Sequence, residues 1–136
     1  MKRPEEQARK RLVREWLHKA ETDLQAAEAL LTRDSPLLYP SCFFAQQAAE
    51  KYLKAFLVRN QTYFPKTHDL DEILDLVESV NSELASSLRG VIALTQYAVE
   101  TRYPGDLAEP DSAEATAALD LAKKVRDAVL RAMQLT

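Results

Sequence analysis

Two short polar segments, well separated in the chain, carry side chains that can act on phosphate groups. The first holds Lys66, His68 and Asp69, and the second holds Arg102 and Tyr103. An imidazole titrates near neutral pH and can accept or donate protons. A guanidinium matches two phosphate oxygens with a planar pair of donors. His68 and Arg102 are therefore the candidate catalytic residues, and all five are candidate phosphate ligands.

Each of these residues also has an ordinary structural interpretation. His68 is expected near a helix N-terminus, where it can bond to neighbouring backbone. Asp69 is expected to cap that helix rather than to orient His68, because adjacent residues of a helix do not face each other. Arg102 is expected at a helix C-terminus, where the helix dipole favours a cation. Both interpretations are kept for His68 and Arg102.

Further candidates for ligand binding lie on the predicted second and fourth helices. Lys51 and Lys54 form a polar stripe with Gln47. Such a stripe is usually a solvated face of a helix. The alternatives are an edge that binds successive phosphates of a nucleic-acid backbone and a surface that contacts a second copy in a dimer. Tyr97 is expected either in the core or in the wall of a pocket.

Apolar residues recur at spacings of three and four along the whole chain, which predicts an all-α protein. The pattern gives a bundle of four to five helices, over about residues 5–31, 41–59, 67–80, 82–101 and 112–133. In this pattern Leu12, Val80 and Val99 belong to the buried faces. Pro36 and Pro104–Gly105 mark breaks. The predicted helix caps are Asp69 or Thr67, Asn81–Ser82, and Asp111 or Ser112. No alternating strand pattern extends over a useful length.

Short connections between these helices favour an up-and-down arrangement. The end of the second helix, the start of the third, the end of the fourth and the start of the fifth are then expected at one pole. This arrangement would place Lys66 and His68 beside Arg102. The amides at the start of the third helix would add a site that favours anions.

Composition excludes several classes of protein. A chain of 136 residues fits one domain, residues 1–136, with a real core. The single cysteine, Cys42, allows no internal disulfide and suits a cytoplasmic location. A net charge of −3 excludes a basic field over the whole molecule. No apolar run approaches the roughly 20 residues that a membrane span needs, and the first residues do not form a signal peptide.

The sequence also contains none of the common metal or nucleotide motifs. Only Gly90 and Gly105 are glycines, which excludes glycine-rich phosphate loops. The two histidines and Cys42 lack zinc-site spacing, so neither a metal nor a cofactor is expected. Cys42 lies on an apolar stripe, where a free cysteine is normally inert.

Three segments in this order resemble the HEPN domain family (higher eukaryotes and prokaryotes nucleotide-binding). They are residues 43–55 (FFAQQAAEKYLKA), 65–70 (PKTHDL) and 97–104 (YAVETRYP). The resemblance extends over about residues 12–133. It implies a helical bundle, often a homodimer, that is encoded beside a minimal nucleotidyltransferase partner and in some cases forms a toxin–antitoxin pair.

The resemblance implies two functions, and the residues add a third. The first is a module that binds the phosphates of a nucleotide or of RNA. The second is a metal-independent endoribonuclease that uses His68 and Arg102. Many ribonucleases of the family place a His four to six residues after an Arg, whereas no His follows Arg102 and nine positions separate Arg59 from His68. The third is a purely structural oligomerisation domain.

Overall fold

The computed structural model describes residues 3–99, 103–105 and 108–134, and it confirms an all-α bundle. Within these ranges every regular element is a helix. The α-helices are α1 (Pro4–Thr32), α2 (Leu38–Arg59), α3 (Leu70–Val80), α4 (Ser82–Leu88) and α5 (Ser112–Gln134), and a 3-10 helix (Arg89–Tyr97) follows α4. Among the predicted caps the structure selects Asp69, Asn81 and Asp111, which accept hydrogen bonds from the amides of Asp71, Leu84 and Glu114.

The first two helices, α1 and α2, are long and consecutive in the chain, and they pack as an antiparallel pair. The hydroxyl of Ser41 donates to the carbonyl of Ala27 over 2.7 Å at the connected end. Further along, the hydroxyl of Tyr52 donates to Glu21 over 2.7 Å. As the residue numbers increase along α2, those of the contacting residues of α1 decrease. This is the arrangement expected for helices joined by a short loop.

Helix α2 lies at the centre of the bundle, in contact with α1, α3, α5 and the 3-10 helix. Four of its 22 residues are buried alanines, whose small side chains allow neighbouring helices to approach closely. Leu53 and Leu57 are completely buried between these neighbours. In the described part of the chain, no helix is long and apolar enough to cross a membrane.

The fourth predicted helix differs from its prediction, because only Ser82–Leu88 is α-helical and the chain then tightens into the 3-10 helix. Buried side chains recur every third residue there, at Leu88, Val91, Leu94 and Tyr97. A 3-10 helix has three residues per turn, so residues three apart lie above one another. The α-helical spacing placed Val99 on the inner face, whereas its side chain is 55% exposed.

The connection from α2 to α3 determines where the candidate site lies. The amide of Thr62 donates to the carbonyl of Leu57, and that of Gln61 to Val58, which is a Schellman motif. Gln61 takes the left-handed conformation at φ 56°, a position usually occupied by glycine. The chain then runs back along α2, instead of leaving from its end.

The prediction that the start of α3 and the end of α2 lie at the same pole of the bundle is therefore wrong. The start of α3 lies beside the middle of α2, since His68 contacts Glu50. It does lie next to the 3-10 helix, because the amide of Leu70 donates to the hydroxyl of Thr95 over 3.2 Å. The end of the 3-10 helix meets the start of α2, where the rings of Tyr97 and Tyr39 are 6.1 Å apart.

Two residues assigned to inner faces by their spacing are exposed. Leu12 is 44% exposed and Val80 is 39% exposed. On α1 the buried residue is the neighbouring Val13, which lines a cavity together with Met133 of α5. Apolar side chains at a helical spacing can be counted from residue 12 or from residue 13. The position of α5 decides which of these two faces of α1 is buried.

Replacing Leu53 by Ala should destabilise the fold by about 2–5 kcal/mol, because Leu53 is completely buried and its loss leaves a cavity. The matched variant Leu12→Ala should cost less than about 1 kcal/mol, since Leu12 is 44% exposed. Urea denaturation followed by circular dichroism measures both. Equal losses in the two variants would contradict the described packing.

Candidate functional site

A buried carboxylate, that of Glu50, lies at the centre of the candidate site. Its side chain is 3% exposed. One oxygen accepts from Nζ of Lys54 over 2.8 Å, and the other contacts Nδ1 of His68 over 2.8 Å and Nε2 of Gln46 over 3.1 Å. A buried charge is tolerated when it is paired and hydrogen-bonded. Glu50 meets both conditions, and its partners come from α2 and from the loop before α3.

Lys54 is committed to this network and does not face solvent. Its side chain is 7% exposed, and Nζ also donates to the carbonyl of Thr67 over 2.9 Å. The ammonium lies 5.8 Å from the ring centre of Trp16 and 5.6 Å from that of Phe64, within the range of cation–π attraction. The prediction that Lys54 lies on a solvated face is therefore wrong, whereas its role in ligand binding stays a prediction. Its contacts hold the returning loop onto α2.

His68 is anchored on one side and open on the other. Its side chain is 64% exposed although Nδ1 contacts buried Glu50. An ionised carboxylate only accepts hydrogen bonds, so Nδ1 carries the proton in that contact. Gln46 Nε2 also donates to the backbone carbonyl of His68 over 3.3 Å. The imidazole is thus held in one tautomer, with Nε2 as the atom left for chemistry.

The start of α3 does not provide the expected anion site. The amide of Asp69 donates to the hydroxyl of Thr67, that of Leu70 to Thr95, and that of Asp71 to the carboxylate of Asp69. Three of the amides that a helix N-terminus would offer to an anion are thus already bonded. The carboxylate of Asp69 adds a negative charge there, so the anion-binding prediction for these amides is wrong.

The remaining predicted residues differ in their surroundings. Lys51 pairs with Asp23 of α1. Lys66 is exposed, two positions before His68. Tyr97 is 8% exposed and belongs to the core, and Tyr103 is 75% exposed. Arg102 lies outside the described residues.

Sequence reasoning missed Glu50 and Gln46, the two residues that orient His68. Glu50 and Lys54 have the spacing of an exposed ion pair on a helix surface, and they were interpreted in that way. The signal against that interpretation was the composition of α2. A helix that is apolar on nearly all sides is buried, so its few polar residues must find partners inside the protein.

Cys42 does not contribute a nucleophile to this site. It is completely buried, and burial raises the pKa of its thiol to about 11, although a hydrogen bond from Tyr97 lowers it in part. The thiolate is therefore scarce at neutral pH. Within residues 3–99, 103–105 and 108–134, no group of three His, Cys, Asp or Glu side chains could hold a metal ion.

Lys54→Met should destabilise the protein by about 3–5 kcal/mol, because it leaves the Glu50 carboxylate buried without a cation. The double variant Glu50→Gln with Lys54→Met should recover most of that loss, since both charges are gone. Urea denaturation measures the free energy of unfolding, and Lys124→Met, at an exposed position of α5, serves as the control. A single variant as stable as the control would show that the pair does not support the fold.

Comparison with known proteins agrees with this fold. The family model described as the HEPN domain matches residues 13–132. A crystal structure of TT1696 from Thermus thermophilus aligns with a TM-score of 0.69 and 29% identity, over 88% of this chain and 96% of that one. Among curated proteins, none matches. Since the family model spans most of its length, the chain belongs to the HEPN domain family.

Proposed function

We propose that this chain binds the phosphate groups of RNA or of a nucleotide, with His68 as the residue that contacts the phosphate. Membership in the HEPN domain family supports a nucleotide-related or ribonuclease-type module. The observation that carries the proposal is the anchored but exposed imidazole of His68. Its ring is held through Nδ1, and 64% of its side chain faces solvent.

Binding would use the protonated imidazole as a donor. Nδ1–H of His68 would keep its hydrogen bond to Glu50. Nε2–H of the same ring would donate to a phosphate oxygen in a charge-assisted hydrogen bond. Lys66 is exposed nearby in sequence and adds a second positive charge. Arg102 is retained as a phosphate ligand on the family resemblance alone.

The partners in this proposal also come from the family resemblance. They are a second copy of the chain, in a homodimer, and a minimal nucleotidyltransferase, with the pair acting as toxin and antitoxin in the cytoplasm. A dimer would bring two His68 sites into one assembly. This arrangement would compensate for the few basic groups that each site offers.

Replacing His68 by Ala should weaken binding of a short RNA by about tenfold, since a hydrogen bond to a charged group contributes about 1.5 kcal/mol or more. His18, the other histidine of the chain, is exposed on α1, and His18→Ala should leave the affinity unchanged. Fluorescence anisotropy with end-labelled RNA measures both. Equal affinity in the two variants, or no binding by the wild type, would contradict the proposal.

A second candidate function, metal-independent RNA cleavage, is favoured by the contact between Glu50 and His68. A carboxylate on Nδ1 orients an imidazole whose Nε2 can transfer protons. Nε2 would take the proton of a ribose 2′-hydroxyl while its oxygen attacks the adjacent phosphorus. The bond to the 5′-oxygen then breaks, that oxygen takes a proton from water, and the hydroxide formed recovers the proton held by Nε2. A 2′,3′-cyclic phosphate remains. Arg102 would stabilise the negative charge of the transition state.

Cleavage is tested with purified protein, single-stranded RNA and excess EDTA. The wild type should give products that end in a cyclic phosphate, and His68→Ala should slow cleavage by about 100-fold or more, the usual contribution of a general base. His18→Ala should cleave at the wild-type rate. If the wild type binds RNA without cleaving it, this second candidate fails and the binding module stands.

A further inference from the structure

A cavity of about 540 Å³ lies at the end of the bundle, away from the His68 site. The first turns of α1, the last residue of α2 and the last turns of α5 surround it. Arg59 belongs to its wall and lies nine residues beyond Glu50 on α2, or about 14 Å along the helix axis. The volume is within the range of small-molecule sites in proteins.

Among the described residues, basic side chains line this cavity and acidic ones do not. Arg9, Lys10, Arg14 and Arg59 belong to its wall, which contains no Asp or Glu from that part of the chain. Lys10 and Arg59 also make other contacts. Such a wall is unusual for a chain whose net charge is −3. A concave surface lined by one sign of charge raises the local concentration of ions of the opposite sign. The cavity therefore favours anions.

Two of the arginines are not used by the fold. Among the residues that the structure describes, none forms an ion pair or hydrogen bond with Arg9 or Arg14. They are five positions apart on α1, on either side of Val13 at the cavity wall. Both guanidinium groups can therefore donate to a carboxylate, sulfonate or phosphate without breaking an existing contact.

The rest of the wall is apolar. Val13 and Leu17 come from α1, and Leu130 and Met133 come from α5. Val13 and Met133 are buried, so this part of the wall is continuous with the core. An anion without an apolar portion would leave these side chains in contact with water, whereas a hydrocarbon or aromatic portion would cover them.

We propose that this cavity binds a small amphipathic anion, with its charged group between Arg9 and Arg14 and its apolar portion against Leu17 and Leu130. Two sources supply this chemistry. One is a nucleoside monophosphate, whose base is the apolar portion, and the other is a medium-chain carboxylate. The site is separate from His68, so it functions whether or not His68 contacts phosphate.

The test uses 1-anilinonaphthalene-8-sulfonate, a fluorescent aromatic sulfonate, with the full chain. Its fluorescence should rise to saturation at one molecule per chain. The double variant Arg9→Gln with Arg14→Gln should weaken this binding by about tenfold, because both charge-assisted hydrogen bonds are lost. His68→Ala should bind the probe as the wild type does. Circular dichroism confirms that each variant is folded.

The matched control is Arg33→Gln with Lys124→Gln, which removes the same charge from exposed positions outside the cavity wall. It should keep wild-type affinity. Displacement of the probe by AMP would assign the phosphate source, and displacement by decanoate would assign the carboxylate source. Absence of saturable binding, displacement by neither compound, or equal weakening in the two double variants would overturn the proposal.

Discussion

The structure depends on the neutralisation of one buried carboxylate. Glu50 lies in the middle of α2, the helix that every other long helix covers, and its side chain is 3% exposed. A buried charge without partners would cost several kcal/mol. Lys54 supplies the opposite charge from one turn further along α2. Gln46 and His68 supply the remaining hydrogen bonds, and only a chain that turns back after α2 can bring His68 there.

That requirement explains why the loop before α3 is ordered against α2. Lys54 bonds to Glu50 and to the carbonyl of Thr67, and its ammonium lies near the rings of Trp16 and Phe64. The same contacts that neutralise Glu50 therefore hold the loop that carries His68. The fold uses up basic groups that an anionic ligand could have used, and it leaves one oriented imidazole. Such a site suits a single phosphate contact or a proton transfer better than a broad basic surface.

The distribution of charge is uneven in a chain that is acidic as a whole. Near His68, the cations Lys51 and Lys54 are paired with Asp23 and Glu50. At the far end of α2, Arg9 and Arg14 line a cavity to which the described residues contribute no acidic side chain. Both regions flank the same central helix. They differ because the fold pairs Lys51 and Lys54, whereas Arg9 and Arg14 have no such partner among the described residues. Net charge therefore says little about where an anion can bind.

The sequence by itself determined the all-α class, the family and the short list of candidate helix caps, because these depend on local spacing and on motifs that are contiguous in the chain. It also singled out His68. Only the tertiary structure decided that Glu50 and Lys54 are buried, that Val13 rather than Leu12 faces inward, and that a 3-10 helix follows Leu88. The physical reason is that helical periodicity places residues on a face without stating which neighbour covers it. An i,i+4 ion pair has the same spacing in water as inside the protein.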